Sequence, residues 1–173
     1  NVFNVAFIAL GNSVGIIVGQ LLGAGKNDEA VDSARKMIAF SAGVCLLFGG
    51  ALAVVAPFFP MIYNTDDSIK SLATALILTM AVHMPIHAIS HGCYFTLRSG
   101  GRTFITILFD SVFMWVIAIP VARLLADFTK ISIKILFPIC HGLEAIKAFL
   151  GLWLVGRKTW VKQLVSRSEK EKN

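Results

Sequence analysis

Apolar residues are concentrated in five long runs, and short polar segments separate one run from the next. A helix needs about 20 mainly apolar residues to cross the hydrocarbon core of a bilayer, and every run reaches that length. Unbroken apolar runs of this length are typical of membrane helices. We therefore predict an all-α membrane protein, a bundle of five transmembrane helices at 2–23, 37–59, 69–97, 104–126 and 135–156.

The composition agrees with this prediction and excludes an ordinary soluble domain. Hydrophobic residues make up 56% of the chain and charged residues 15%, and the mean hydropathy is +0.74. Soluble domains carry about 25% charged residues. The chain begins at Asn1, directly before an apolar run and without the basic start of a signal peptide. We expect it to be a portion of a larger protein, in which 1–156 form the membrane part.

The positive charges lie mostly on one side of the predicted helices. The net charge of +6 would by itself also suit a protein that binds nucleic acid. If successive helices cross the membrane in opposite directions, eleven basic residues lie on one side: Lys26, Arg35, Lys36, Arg98, Arg102, Arg157, Lys158, Lys162, Arg167, Lys170 and Lys172. Four lie on the opposite side: Lys70, Arg123, Lys130 and Lys134. This bias follows the positive-inside rule, so we predict a multi-pass plasma-membrane protein with a cytoplasmic tail and no nucleic-acid partner.

The cysteines and the familiar catalytic motifs give no sign of an enzyme. Cys45, Cys93 and Cys140 all lie in apolar runs without a CxxC spacing, which indicates small buried residues and no disulfide framework. No nucleophile motif, phosphate loop or nucleotide fingerprint occurs in the sequence. We therefore predict that the protein is not an enzyme, does not use ATP directly and needs no cofactor.

The first run carries glycine at every fourth position. These residues are Gly11, Gly15, Gly19 and Gly23. Such a spacing keeps them on one side of a helix, and small residues let a neighbouring membrane helix approach closely. We predict that this side packs against another helix. The polar residues Asn12 and Gln20 of the same run either line a cavity or make hydrogen bonds between helices.

The third run contains histidines four residues apart, at His83, His87 and His91, so they share one face of a helix. Pro85 lies among them and predicts a kink. Polar groups inside a membrane are candidates for function. The three imidazoles could form hydrogen bonds in a cavity, change protonation between about pH 5 and 8, or bind a metal. No acid or cysteine falls at ligand spacing on the same face, so we predict no metal site.

Ionisable residues from three runs fall at one depth. His91 and Asp110 each lie nine residues from the glycines of the turn between their runs, and Lys147 lies nine residues before Gly156. This corresponds to roughly 13 Å from the same side of the membrane. Glu144 lies three residues from Lys147, close enough to pair on a helix. We expect these groups to pair with one another, either as a structural ion-pair knot or as an ion or substrate site.

The last 17 residues, 157–173, differ from the runs because they are rich in charge. Trp160, Val161, Leu164 and Val165 share a face of a helix, with basic residues among them. This pattern is typical of an amphipathic helix on the inner leaflet, followed by a disordered charged end. We predict a cytoplasmic basic tail.

Two motifs resemble those of the multidrug and toxic compound extrusion (MATE) family. VGQLLGAGKNDEA, at 18–30, is similar to a turn found in each half of that family, and TLRSGGRT, at 96–103, is similar to the turn before its penultimate helix. The resemblance implies helices eight to twelve of a twelve-helix carrier, whose amino-terminal lobe would be a further partner. It also implies export of a cationic or amphipathic small molecule in exchange for Na⁺ or H⁺, by alternating access within membrane lipid.

The sequence departs from the resemblance in the third run. Some Na⁺-coupled members of that family are expected to carry an acid in the corresponding helix, where this chain has histidines. Coupling would then depend on Asp110 and Glu144, or on the amino-terminal lobe. Two other classes stay open: a related flippase for lipid-linked saccharides, and a membrane-embedded metalloenzyme that would rest on the histidine face alone.

Overall fold

Five long helices form the described part of the chain, which covers residues 2–101, 103–129, 132–158 and 160–161 of a computed structural model. They are α1 (Val2–Gly23), α2 (Asn27–Val55), α3 (Asp67–Ser99), α4 (103–129) and α5 (Ile133–Gly156). A short 3₁₀ helix, Phe59–Ile62, follows α2. No strand occurs in these residues, so the predicted all-α fold is confirmed.

Four of the helices in the described residues are long and apolar enough to cross a membrane: Asn27–Val55, Asp67–Ser99, Phe104–Asp127 and Ile133–Gly156. The first helix, α1, has 22 residues and rises about 33 Å at 1.5 Å per residue, which matches the ~30 Å of a hydrocarbon core. Its apolar segment includes Phe7–Gly23. Large apolar side chains such as Leu47 and Phe104 are more than two-thirds exposed, as expected for a surface that faces lipid.

Both ends of α2 differ from the predicted run of 37–59. α2 begins at Asn27 instead of 37, because its solvated first turns continue directly into the apolar part. An ion pair of 2.6 Å between Lys36 Nζ and Asp32 Oδ2 supports these turns. α2 stops at Val55, two residues before Pro57, which has no backbone N–H to continue the helical hydrogen bonds. α3 runs as one helix through Pro85.

α3 is the central helix, and it packs against α1, α2 and α5. α4 contacts α3 near its own start and α5 near its own end. We call the end of the bundle where α1, α3 and α5 finish the basic end, because its described cationic residues are Lys26, Arg35, Lys36, Arg98, Arg157 and Lys158. The larger apolar core lies at this end: Val14, Val18, Leu22, Ala30, Val31, Ala34, Ile38, Cys93, Leu97, Val155, Trp160 and Val161. A smaller core contains Phe7, Cys45, Met84 and Ala88.

The described part of the tail packs against protein, which corrects the prediction for two residues. Trp160 is fully buried and Val161 is 7% exposed. The indole N–H of Trp160 donates to the carbonyl of Val155 over 3.1 Å. Gly100 lies directly on the ring, since a Cβ there would be 2.9 Å from Trp160 Cε3. Both residues therefore cover the turn after α3 and do not face lipid, while 162–173 lie outside the described residues.

Glycines allow the closest contacts between helices. A Cβ at Gly11 would lie 2.7 Å from Phe95 Cδ2, and one at Gly15 would lie 3.3 Å from Phe95 Cβ. The hydroxyl of Ser99 donates to the carbonyl of Gly15 over 2.7 Å. A Cβ at Gly19 would be 3.9 Å from the Ser99 side chain, and Gly23 has open space around it. The glycine side of α1 thus packs on α3 at its first two positions.

The tightest described approach is at Gly49, which the sequence pattern did not single out. A Cβ there would lie 2.5 Å from the backbone carbonyl oxygen of Ala81 on α3. The neighbouring Gly50 has nothing within 4 Å of such an atom. α2 and α3 therefore touch backbone to backbone at Gly49.

We expect Gly49→Ala to lower the unfolding temperature of the detergent-solubilised protein, because the added methyl forces α2 and α3 apart. Gly50→Ala is the matched control. In a helix alanine is favoured over glycine by about 1 kcal/mol, so this control should be neutral or stabilising. Equal stability of the two variants would contradict the close contact between α2 and α3.

Candidate functional site

α4 is not a regular α-helix, and its irregular part carries Asp110. Two π-helical segments, Leu108–Val112 and Met114–Ala118, lie between α-helical ends at Thr103–Ile107 and Ile119–Thr129. In a π-helix each N–H bonds to the carbonyl five residues back, which widens the turn, and such segments are frequent at functional sites. Pro120 would clash with the carbonyl four residues before it in a regular helix, which accounts for the second segment.

A single lysine lies between two carboxylates that come from different helices. Lys147 Nζ on α5 is 3.4 Å from Asp110 Oδ1 on α4 and 3.5 Å from Glu144 Oε1 on its own helix. The Lys147 and Glu144 side chains are 13% and 21% exposed, whereas that of Asp110 is 64% exposed. We call these three residues the charged cluster. The structure therefore brings together three of the four ionisable groups predicted at one depth.

The charged cluster is under strong electrostatic constraint. Lys147 and Glu144 are mostly buried and lose much of their hydration, and pairing is the usual compensation for this loss. With all three ionised, one ammonium faces two carboxylates and a net negative charge remains. The ring of Phe113 adds a weak attraction, with its centroid 6.0 Å from Lys147 Nζ. The charge of the cluster is therefore not balanced by Lys147 alone.

Two cavities meet at the charged cluster, and Asp110 and Lys147 line both of them. The first cavity, about 220 Å³, extends towards the basic end: Ile8, Ser90, His91, Tyr94, Phe95 and Arg98. The second, about 330 Å³, extends the other way, along the later part of α4 and the first half of α5: His87, Phe113, Met114, Ala118, Ile119, Ala122, Phe137, Cys140, His141 and Glu144. The Asp110–Lys147 pair thus lies between two spaces that point to opposite ends of the bundle.

The histidines of α3 lie beside these cavities. His83 Nδ1 is 2.8 Å from the carbonyl of Thr79, which can only accept, so this nitrogen carries the proton. His87 Nε2 is 3.3 Å from His141 Nδ1 on α5, so one ring donates to the other. His91 lines the first cavity. The ring of Phe7 stacks on His87 and His91, with centroids 5.5 and 5.1 Å apart.

His141 is the functional candidate that the sequence analysis did not select. Its ring lies against Phe137 at a centroid distance of 4.4 Å and close to His83 and His87. Its depth in the membrane, counted along the helix as for Lys147, is the signal in the sequence that points to it. His141 lies 15 residues before Gly156 and His87 lies 13 before Gly100, which places both at about 20–22 Å from the basic end.

The predicted polar residues of α1 do not reach the charged cluster. Asn12 and Gln20 are exposed, on the side of α1 that is turned away from the buried Val14 and Val18. Among the described residues, no group of three or more histidine, cysteine or acidic side chains is arranged to hold a metal ion.

The family model MatE matches residues 1–124 of the chain. The chain belongs to the MatE family. At the level of the family this identifies a multi-pass membrane transporter for the efflux of drugs and toxic compounds. A comparison with curated proteins and one with solved structures gave no match.

The matched part of this MatE chain includes Asp110 and the histidines of α3, whereas Glu144, Lys147 and His141 lie beyond it. The family match alone therefore assigns no role to Glu144 and Lys147, two of the three residues of the charged cluster. The ion pairs and the shared cavities are what place Glu144, Lys147 and His141 in the site.

We expect Lys147→Met to lower the free energy of unfolding, since Asp110 and Glu144 lose their shared cation. Removing one partner of a fully buried pair costs about 3–5 kcal/mol, and the exposure of Asp110 should reduce this to about 1–3 kcal/mol. Adding Glu144→Gln to Lys147→Met should restore part of the loss, because the less exposed of the two unpaired charges is gone.

The measurement is thermal or denaturant unfolding in detergent. Lys134→Met, at a lysine of the same helix whose hydrogen bond to Ser71 is exposed to solvent, is the control and should change stability less than Lys147→Met. A double variant no more stable than Lys147→Met alone would show that Lys147 does not compensate Glu144.

Proposed function

We propose that this chain is the carboxy-terminal lobe of a secondary antiporter, in which the charged cluster couples export of an organic compound to inward movement of Na⁺ or H⁺. The observation that carries the proposal is the single ammonium shared by two carboxylates at the junction of two oppositely directed cavities. Secondary transporters that alternate between two open states hold their substrate and coupling-ion sites near the middle of the membrane, and the charged cluster fits such a position.

Coupling follows from competition for the carboxylates. A proton or Na⁺ that reaches Asp110 neutralises it and weakens its attraction to Lys147. Lys147 then pairs with Glu144 alone, and the electrostatic link between α4 and α5 is released. An ion shifts a conformational equilibrium only by its different affinity for the two states, and here the difference is the presence or absence of the Asp110–Lys147 pair.

α4 is suited to move when this link is released. Its π-helical segments contribute few contacts to neighbouring helices, whereas its ends touch α3 and α5. A π-helical turn can return to α-helix and rotate the residues beyond it. Such a rotation would carry Asp110 from one cavity towards the other.

The second cavity fits an amphipathic cationic substrate. Its walls are mainly apolar and aromatic, from residues such as Phe113, Met114 and Phe137, and its inner end is the net negative charged cluster. Aromatic faces and carboxylates both attract a cation. A flippase for lipid-linked saccharides should need a wider and more basic cavity than this one.

We further propose that the basic end faces the cytoplasm and that the protein lies in the plasma membrane. The inner side of a membrane protein is enriched in lysine and arginine, and this end carries the described cationic residues named above. An amino-terminal lobe of the same protein would then complete the transport path.

In the full-length protein, Asp110→Asn or Glu144→Gln should lower efflux of a cationic dye at least several-fold while expression stays normal, because the coupling ion loses a carboxylate. The measurement is dye transport in everted vesicles under an imposed Na⁺ or H⁺ gradient. Asp127→Asn is the matched control. Asp127 is an exposed acid of α4 that pairs only with Arg123 in the described residues.

Normal efflux in both variants would remove the two carboxylates from coupling. Movement of a lipid-linked sugar in place of the dye would assign the protein to the flippase class instead.

A further inference from the structure

A cleft of about 400 Å³ lies between α2 and α5, away from the charged cluster. Both helices pack against α3, which supplies Ile89 to the cleft, and they contact each other little. The remaining lining residues are Arg35, Ile38, Ala39, Ala42, Leu152, Val155 and Gly156. The small side chains of Ala39 and Ala42 leave space that larger residues would fill. The cleft is therefore apolar along its length, with one charged residue.

That charged residue, Arg35, lies at the basic end of the cleft and has no ion-pair partner among the described residues. The neighbouring cations differ: Lys36 pairs with Asp32, and Lys26 pairs with Glu29. Arg35 is exposed, so its guanidinium is free to bind an anion at the mouth of the cleft.

On the other side of the cleft opening, the end of α5 carries residue types that are common at a membrane interface. Gly156 lines the cleft, and Arg157 follows it in the chain. The guanidinium of Arg157 lies 3.9 Å from the centroid of the exposed Trp153 ring. Tryptophan and arginine are common where the acyl chains of a membrane meet its headgroups. This level of the protein is therefore where a lipid headgroup would lie.

We propose that the cleft binds an anionic phospholipid, with one acyl chain along its apolar walls and the headgroup phosphate on Arg35. An arginine can donate two parallel N–H bonds to one phosphate, and basic pockets between membrane helices bind anionic headgroups. A soluble phosphate would leave the apolar walls empty, and a cationic substrate would be repelled by Arg35. An anionic lipid would pair its phosphate with Arg35 and cover the apolar walls with its acyl chain.

The test is native mass spectrometry of the full purified chain in detergent, with added phosphatidylglycerol or phosphatidylcholine. The wild-type protein should retain phosphatidylglycerol in preference to phosphatidylcholine. Arg35→Gln should reduce this preference about fivefold, which corresponds to ~1 kcal/mol for one arginine at a lipid surface. Ala39→Leu should reduce retention of both lipids, because it fills the cleft at an exposed position.

Lys36→Gln is the matched control, since it removes the same charge one residue away and should keep the preference. Unfolding temperatures in lipid-free detergent verify that all variants are folded. The proposal is overturned if Arg35→Gln keeps the wild-type preference, if Lys36→Gln loses as much, if wild-type protein retains neither lipid, or if glycerol phosphate binds as tightly as the lipid. None of these readouts depends on transport, so they stand apart from the proposed efflux function.

Discussion

One ammonium group, that of Lys147, serves two carboxylates inside a bundle whose outer surface is apolar. Asp110 and Glu144 cannot both lose this partner without leaving unpaired charge in a poorly hydrated space. The three groups therefore fix how α4 lies against α5. In the proposed mechanism a proton or cation reaches the pair through Asp110, which is the most exposed of the three.

The rest of the fold holds α3 and α5 firmly and leaves α4 comparatively loose. Gly11 and Gly15 allow α1 to lie directly on α3, and Gly49 does the same for α2. Trp160 closes the basic end by packing on Gly100. α4 has no comparable backbone contact in the described residues, and its π-helical turns weaken its regular hydrogen bonding. In the proposed mechanism α1, α2, α3 and α5 keep their packing, and α4 moves when the Asp110–Lys147 pair breaks.

Much of the fold could be predicted from the sequence, because the length and depth of apolar runs are set by the bilayer. Counting residues from the turns placed Asp110, Glu144 and Lys147 in one layer, and the structure brings them into contact. Rotation about each helix axis could not be obtained in this way. For that reason the exposed position of Asn12, the pairing of His87 with His141 and the contact at Gly49 appear only in the structure.

Two further features had weak signals in the sequence. The π-helical turns around Asp110 depend on which hydrogen bonds the backbone forms, and only Pro120 hinted at irregularity. Trp160 can be buried because Gly100 has no side chain to hold the indole ring away. The amphipathic pattern of the tail does not show this contact, and we therefore predicted that Trp160 faces lipid.

The proposed mechanism requires that the charged cluster separate two cavities that open to opposite sides of the membrane. Native Cys140 lines the second cavity, while Cys45 and Cys93 are fully buried. Tyr94→Cys in a Cys140→Ala background would report on the first cavity. Labelling with a membrane-impermeant maleimide in right-side-out and inside-out vesicles should reach the two positions from opposite sides. Labelling of both from the same side would contradict the separation on which the mechanism depends.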